Sequence, residues 1–223
     1  MGRWRGNAFF TMRVILVRHA ETQWNNAGII QGHSDSPLTP RGQRETSLLL
    51  EALLEKAYPI DRIYASPLGR AWHMGLSLAE GLCCPLLAEP ALKEQGFGHF
   101  EGMYSADFIR HYPNEAEALF RLDAEYCPPG GESLLTATRR LMYFLQHLQN
   151  AAEHQTICLV SHGHILQGVL AMLKEGNIDN FPRYSQPNAS YSAFELDEGK
   201  CTALQWGIAT HLLRTSPAPD NPV

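Results

Sequence analysis

An apolar run from Val14 to Val17 ends abruptly at Arg18 and His19, after which the chain turns polar. Near neutral pH an imidazole is partly unprotonated and can attack phosphorus, and a guanidinium beside it offers a planar fork of donors that matches phosphate oxygens. His19 is therefore the candidate nucleophile and Arg18 the candidate anion anchor. A second clamp is offered by Ser66-Pro67-Leu68-Gly69-Arg70, which reads as a strand end followed by a helix start and puts Arg70 in the first turn. Free N–H groups and the helix dipole favour an anion there. In Val160-Ser161-His162-Gly163-His164, His162 follows another apolar run and can donate to a transferring phosphoryl group, while Gly163 permits close backbone approach. Glu94 sits in the glycine-containing loop from Leu92 to Gly98, where a carboxyl group can protonate a leaving alkoxide.

These side chains need a scaffold that delivers several strand ends to one rim. The runs Val14 to Val17 and Ile157 to Val160 have the continuous apolar character of central parallel strands covered on both faces. Further strands are predicted at Arg62 to Ala65 and Leu86 to Ala88. Thr39-Pro40 and Ser66-Pro67 each pair an N-cap residue with a proline at the first helical position, which predicts helix starts at both. Leu134, Thr138, Leu141, Leu145 and Leu148 form one helical face directed at the sheet. Ile165 to Leu173 reads as a buried helix closed by Gly176, and Tyr191 to Leu196 with Cys201 to Trp206 as a hairpin adding an antiparallel edge. The stretch from about 103 to 130, rich in Tyr and Phe, is predicted to form a helical cap that reads the substrate. The expected architecture is a three-layer α/β/α sandwich in one domain spanning 12–212. Residues 1–11 and 213–223 are expected to be loosely ordered extensions, with Met12 a possible start.

A chain of 223 residues can bury one substantial core. Its net charge of −5 gives no reason to expect nucleic acid or an anionic membrane as partner, so any anion site is a local cluster. Five cysteines without a C-x-x-C pair fit reduced thiols and a cytoplasmic location. No apolar stretch approaches the roughly 20 residues of a membrane helix.

The segments RHAETQWN, SPLGRA, LKEQGFGHFEG, GGES and VSHGH, in this order, resemble the histidine phosphatase superfamily, also called phosphoglycerate-mutase-like. The resemblance implies that His19 becomes phosphorylated, that Arg18, Arg70 and His162 surround the phosphate, and that Glu94 is the proton donor. It also implies that Asn25 and Gln31 line the phosphate site. No metal or other cofactor is expected. The family pattern has glycine where Ala20 stands, and alanine fits that turn if its φ is negative.

Simpler readings apply to most of the ten histidines. His33, His73, His99, His111, His147, His154 and His211 read as surface or hydrogen-bonded residues, and His164 as the start of a helix. Glu101 is a lesser alternative to Glu94. The leading expectation is hydrolysis of a small phosphorylated metabolite through a phosphohistidine. A cofactor-dependent phosphoglycerate mutase is the alternative, disfavoured by the short segment between Glu94 and Gly131. An inactive protein that binds a phosphorylated partner is a second alternative.

Overall fold

The computed structural model describes residues 11–153 and 155–214. Strand β1 (Met12–Arg18) leads through a short helix α1 (Gln23–Ala27) to helix α2 (Pro40–Glu55), strand β2 (Arg62–Ala65) and helix α3 (Gly69–Leu82). Strand β3 (Leu86–Ala88) precedes a region of short helices that contains α4 (Ser105–His111) and α5 (Pro113–Glu117). Helix α6 (Leu134–Ala151), strand β4 (Thr156–Ser161), helix α7 (Gly163–Glu175) and the hairpin β5 (Tyr191–Asp197) and β6 (Lys200–Ile208) complete the chain.

The six strands form one sheet in the order β3-β2-β4-β1-β5-β6. β1, β2, β3 and β4 run parallel, while β5 is antiparallel to β1 and β6 antiparallel to β5. Alternation along the two central strands divides the core. Val14, Leu16, Ile157 and Leu159 point into one cluster with Leu141 and Leu145 of α6 and Val169 and Leu170 of α7. Ile15, Val17, Cys158 and Val160 point the opposite way, against Leu49 and Leu53 of α2 and Met74 and Leu78 of α3. Two-faced burial is why both runs lack polar residues. The expected stripe Leu134, Thr138, Leu141, Leu145 and Leu148 is buried throughout, and Gly176 closes α7 at φ 75°.

Strand β1 begins at Met12, which is wholly buried and pairs with Leu196. Two expectations are corrected. Helix α3 starts at Gly69 with Leu68 as N-cap, two residues beyond the expected Ser66-Pro67 boundary, because Ser66 is engaged elsewhere. Leu213 belongs to a single helical turn (Thr210–Leu213), and Arg214 pairs with Glu55 at 2.6 Å, so the fold continues slightly past 212. Residues 1–10 and 215–223, on which the remaining extension expectations fall, lie outside the described residues.

The cap region has its own small cluster of Ile30, Phe97, Phe100, Phe108, Ala116 and Leu119. A bridge between Ile29 and Tyr104, with backbone hydrogen bonds from Ile30 to Met103, Gly102 to Ile30 and Ser105 to Gly28, ties it to the loop after α1. Residues Ala118–Leu122 continue α5 with π-helical spacing, an arrangement frequent at functional sites.

Candidate active site

Parallel pairing matches Arg18 of β1 with Ser161 of β4, so His19 and His162 leave the sheet side by side. Their ring centroids are 5.2 Å apart. In open α/β sheets the crevice beyond the strands' carboxyl ends is the usual ligand position. A cavity of about 280 Å³ opens there, lined among others by Arg18, His19, Asn25, Gln31, Arg70, Glu94 and Gly163. A larger cavity of about 640 Å³ lies against Asp35, Leu38, Arg70 and His73 and does not include His19, and His162 is in the lining of neither cavity.

The hydrogen bonds of His19 define its tautomer. Nδ1 faces the carbonyl of Ala20 at 2.8 Å, and a carbonyl only accepts, so Nδ1 carries the proton. Nε2 faces Nε of Arg70 at 3.3 Å, and a guanidinium only donates, so Nε2 presents its lone pair. Burial, followed by the positive charges of Arg70 and Arg18, holds the His19 pKa well below its ordinary 6.5. The ring is thus neutral, with the lone pair of Nε2 turned toward a fixed cation. Ala20 is fully buried and is not among the residues with positive φ, so the methyl group fits the turn.

Arg70 is held nearly rigid. Its guanidinium donates to the carbonyls of Gly32 (2.7 Å) and Ser34 (2.8 Å) and to Asp35 (3.0 Å). The loop bearing those carbonyls is in turn fixed by Glu101, whose carboxylate accepts from the amides of His33, Ser34 and Phe97 and from the Ser34 hydroxyl. These bonds hold the Glu101 carboxyl below its ordinary range against the opposing effect of its burial. Glu101 is a loop fastener here, and it is Glu94 that reaches the cavity.

Arg18 donates to the carbonyl of Gln186, while its Nε is buried without a partner. Gly163 is required beneath it: a Cβ there would lie 3.0 Å from the guanidinium carbon. His162 bonds through Nε2 to Oγ of Ser66 at 2.7 Å, and its Nδ1 is buried and unpartnered. Burial, then the charge of Arg70, keeps the His162 pKa well below 6.5. Unpaired buried polar atoms on Arg18 and His162 are costly unless a ligand satisfies them.

Glu94 substitutes for a local cap on α7, whose N-cap His162 makes no side-chain capping bond. Its carboxylate accepts from the amides of His164 (3.0 Å) and Ile165 (2.8 Å), and from its neighbour Gln95 (2.9 Å). Asn25 faces the cavity, but its carbonyl oxygen closes a capping box with Thr22 and accepts from Asn188. The carbonyl oxygen of Gln31, which also lines the cavity, accepts from Ser36.

Several participants escaped the sequence reading. Ser66, expected as a helix cap, is the partner of His162. His164, expected only to start a helix, lines the cavity, and its Nδ1 lies 2.7 Å from Oε1 of Gln95. The Gln95 amide is oriented by its own donation to the carbonyl of Glu132. The phenylalanines Phe97 and Phe120 also face the cavity.

The model of the histidine phosphatase superfamily (branch 1) matches residues 14–209. The chain belongs to this superfamily. It is 30% identical over 201 residues to phosphoserine phosphatase 1 of Hydrogenobacter thermophilus, covering 90% of this chain and 94% of that one. With the adenosylcobalamin/alpha-ribazole phosphatase of Salmonella typhimurium it shares 33% identity over 192 residues, 86% of this chain and 94% of the relative. Among solved structures, Bacillus stearothermophilus YhfR superposes with a TM-score of 0.82 at 26% identity, covering 90% of this chain and 99% of that chain.

Proposed function

We propose that this histidine phosphatase hydrolyses phosphomonoesters of small metabolites in two displacements at phosphorus, with His19 as the transient phosphoryl carrier. The observation that carries the reading is the neutral His19, its Nδ1–H spent on Ala20 and its Nε2 lone pair held opposite Arg70. In the first displacement Nε2 attacks phosphorus in line and a P–N bond forms as the ester P–O bond breaks. Arg18, Arg70 and His162 take the non-bridging oxygens, the Arg18 Nε and His162 Nδ1 atoms having no partner among the described residues. Glu94 gives its proton to the departing alkoxide. In the second displacement Glu94 takes a proton from water, which attacks phosphorus and returns His19 to its neutral form. Asn25, Gln31 and the backbone at Gly163 complete the phosphate surround.

The same groups could serve a mutase, but mutases of the family usually carry a longer insertion than the short segment between Glu94 and Gly131 seen here, which favours hydrolysis. Relatives named phosphoserine phosphatase and alpha-ribazole phosphatase support small phosphorylated metabolites as substrates. Five free thiols support a reducing, cytoplasmic setting. The test is release of phosphate from p-nitrophenyl phosphate by the parent and by His19→Ala, with quenched parent examined for an acid-labile phosphohistidine. Equal release by both proteins, or no labile N–P adduct, overturns the proposal.

A further inference from the structure

The cavity must accommodate the alcohol as well as the phosphate, and its lining is lopsided. Among the described residues the only cationic side chains lining it are Arg18 and Arg70, both at the phosphate end, and the rest of the wall joins Ile29, Ile30, Phe97 and Phe120 to the neutral Ser105 and Gln167. The Phe97 and Phe120 rings meet edge to face at 6.1 Å, and each lies 5.7 Å from the ring of His164. The π-helical turn Ala118–Leu122 carries Phe120, so an irregular piece of backbone sets this wall. A carboxylate on the leaving group would face aromatic carbon and neutral polar groups with no further cation among the described residues, and an unpaired charge is disfavoured there.

His164 adds one polar requirement. Its Nδ1 donates to Oε1 of Gln95, because the Gln95 amide nitrogen is committed to the Glu132 carbonyl. Nε2 is therefore a bare acceptor, and it is buried with no partner. Burial pushes the His164 pKa down to about 4, so the ring is neutral at physiological pH and supplies no charge to a carboxylate. A hydroxyl or N–H group of a bound alcohol is the chemistry that satisfies it.

We propose that the preferred substrate is the phosphate ester of an uncharged alcohol with a flat apolar face and a hydrogen-bond donor, recognised by Phe97, Phe120 and His164. Phosphorylated carboxylic acids are then poor substrates. This rests on the phosphatase reading above. It sets the chain apart in specificity from the relative named for phosphoserine.

The experiment compares kcat/KM for 2-phenylethyl phosphate and 2-(4-hydroxyphenyl)ethyl phosphate with L-phosphoserine and 3-phosphoglycerate, with p-nitrophenyl phosphate as control. The aromatic esters are expected to exceed both acids by about tenfold or more, and the hydroxylated ester to exceed the plain one. Phe120→Ala is expected to lower the aromatic esters by about tenfold while changing phosphoserine by less than about threefold. Gln167→Arg, which adds a cation to the cavity lining, is expected to raise the acids relative to the aromatic esters. Phosphoserine or 3-phosphoglycerate matching the aromatic esters in the parent, with p-nitrophenyl phosphate turned over, overturns the specificity proposal alone. Failure to turn over any of the esters overturns the phosphatase reading and this one with it.

Discussion

Gly163 abuts Arg18 at the start of α7, where an added methyl group would crowd the guanidinium. A Cβ at 3.0 Å forces the arginine to move, and Arg18 is buried and already tied to the Gln186 carbonyl. Gly163→Ala is therefore expected to reduce kcat/KM by about tenfold, about 1.4 kcal/mol of transition-state stabilisation. The thermal midpoint is expected to fall by no more than a few degrees. Steady-state kinetics beside a melting curve check this, and an undiminished kcat/KM would falsify the packing argument.

The positive charge of Arg70 is the second cause, after burial, of the low His19 pKa. Replacing Arg70 by Gln removes that charge and is expected to raise the His19 pKa while leaving it below 6.5, since burial persists. Nitrogen-detected imidazole titration by NMR follows this directly. Because His19 must be neutral to attack, the acid limb of turnover moves to higher pH in the variant, on top of a loss in rate of about a hundredfold from the missing phosphate contact. A titration unchanged between parent and variant contradicts the electrostatic account.

Glu94 caps α7 and is the proposed proton donor, and the two roles separate by leaving group. For Glu94→Gln, turnover of alkyl phosphates is expected to fall by about 10² to 10⁴, and turnover of p-nitrophenyl phosphate, whose leaving group needs no proton, by far less. The glutamine also brings an amide N–H toward the His164 or Ile165 amide, costing about 1–3 kcal/mol of stability. Equal losses for the two substrate types would remove the acid role and leave only the cap.

His164 predicts an acid-sensitive fold. Its pKa is about 4 in the native state against 6.5 when unfolded, so the unfolded chain binds the extra proton between these values. The stability associated with this residue is complete above 6.5 and is lost as pH falls toward 4. Between pH 7 and pH 5 the parent is expected to lose about 2 kcal/mol more than His164→Phe. Urea unfolding at the two pH values gives the difference, and parallel losses would show that His164 does not titrate in this way.

Sequence reading succeeded where local physics decides. The uninterrupted apolar runs of β1 and β4 could only be doubly covered strands, and the motif residues at their ends followed. The capping residue Thr39 and the left-handed Gly176 mark true helix ends. It failed where one residue had two compatible partners. Ser66 before Pro67 satisfies the local rule for a helix start, yet its hydroxyl serves His162, 96 positions away in sequence. The path from Glu132 through Gln95 to His164 likewise crosses from one loop to another and has no periodicity to betray it. Glu94 was found as a candidate acid, but nothing in its neighbourhood announces that it caps a helix 70 residues later.

The cap's aromatic cluster is separate from the two clusters that clasp the sheet. Changes at positions such as Leu119 or Phe108 are therefore absorbed within a small satellite nucleus, and the β-strand tips that carry His19 and His162 keep their register. Selection can retune which alcohol is welcomed without rebuilding the engine that severs its phosphate.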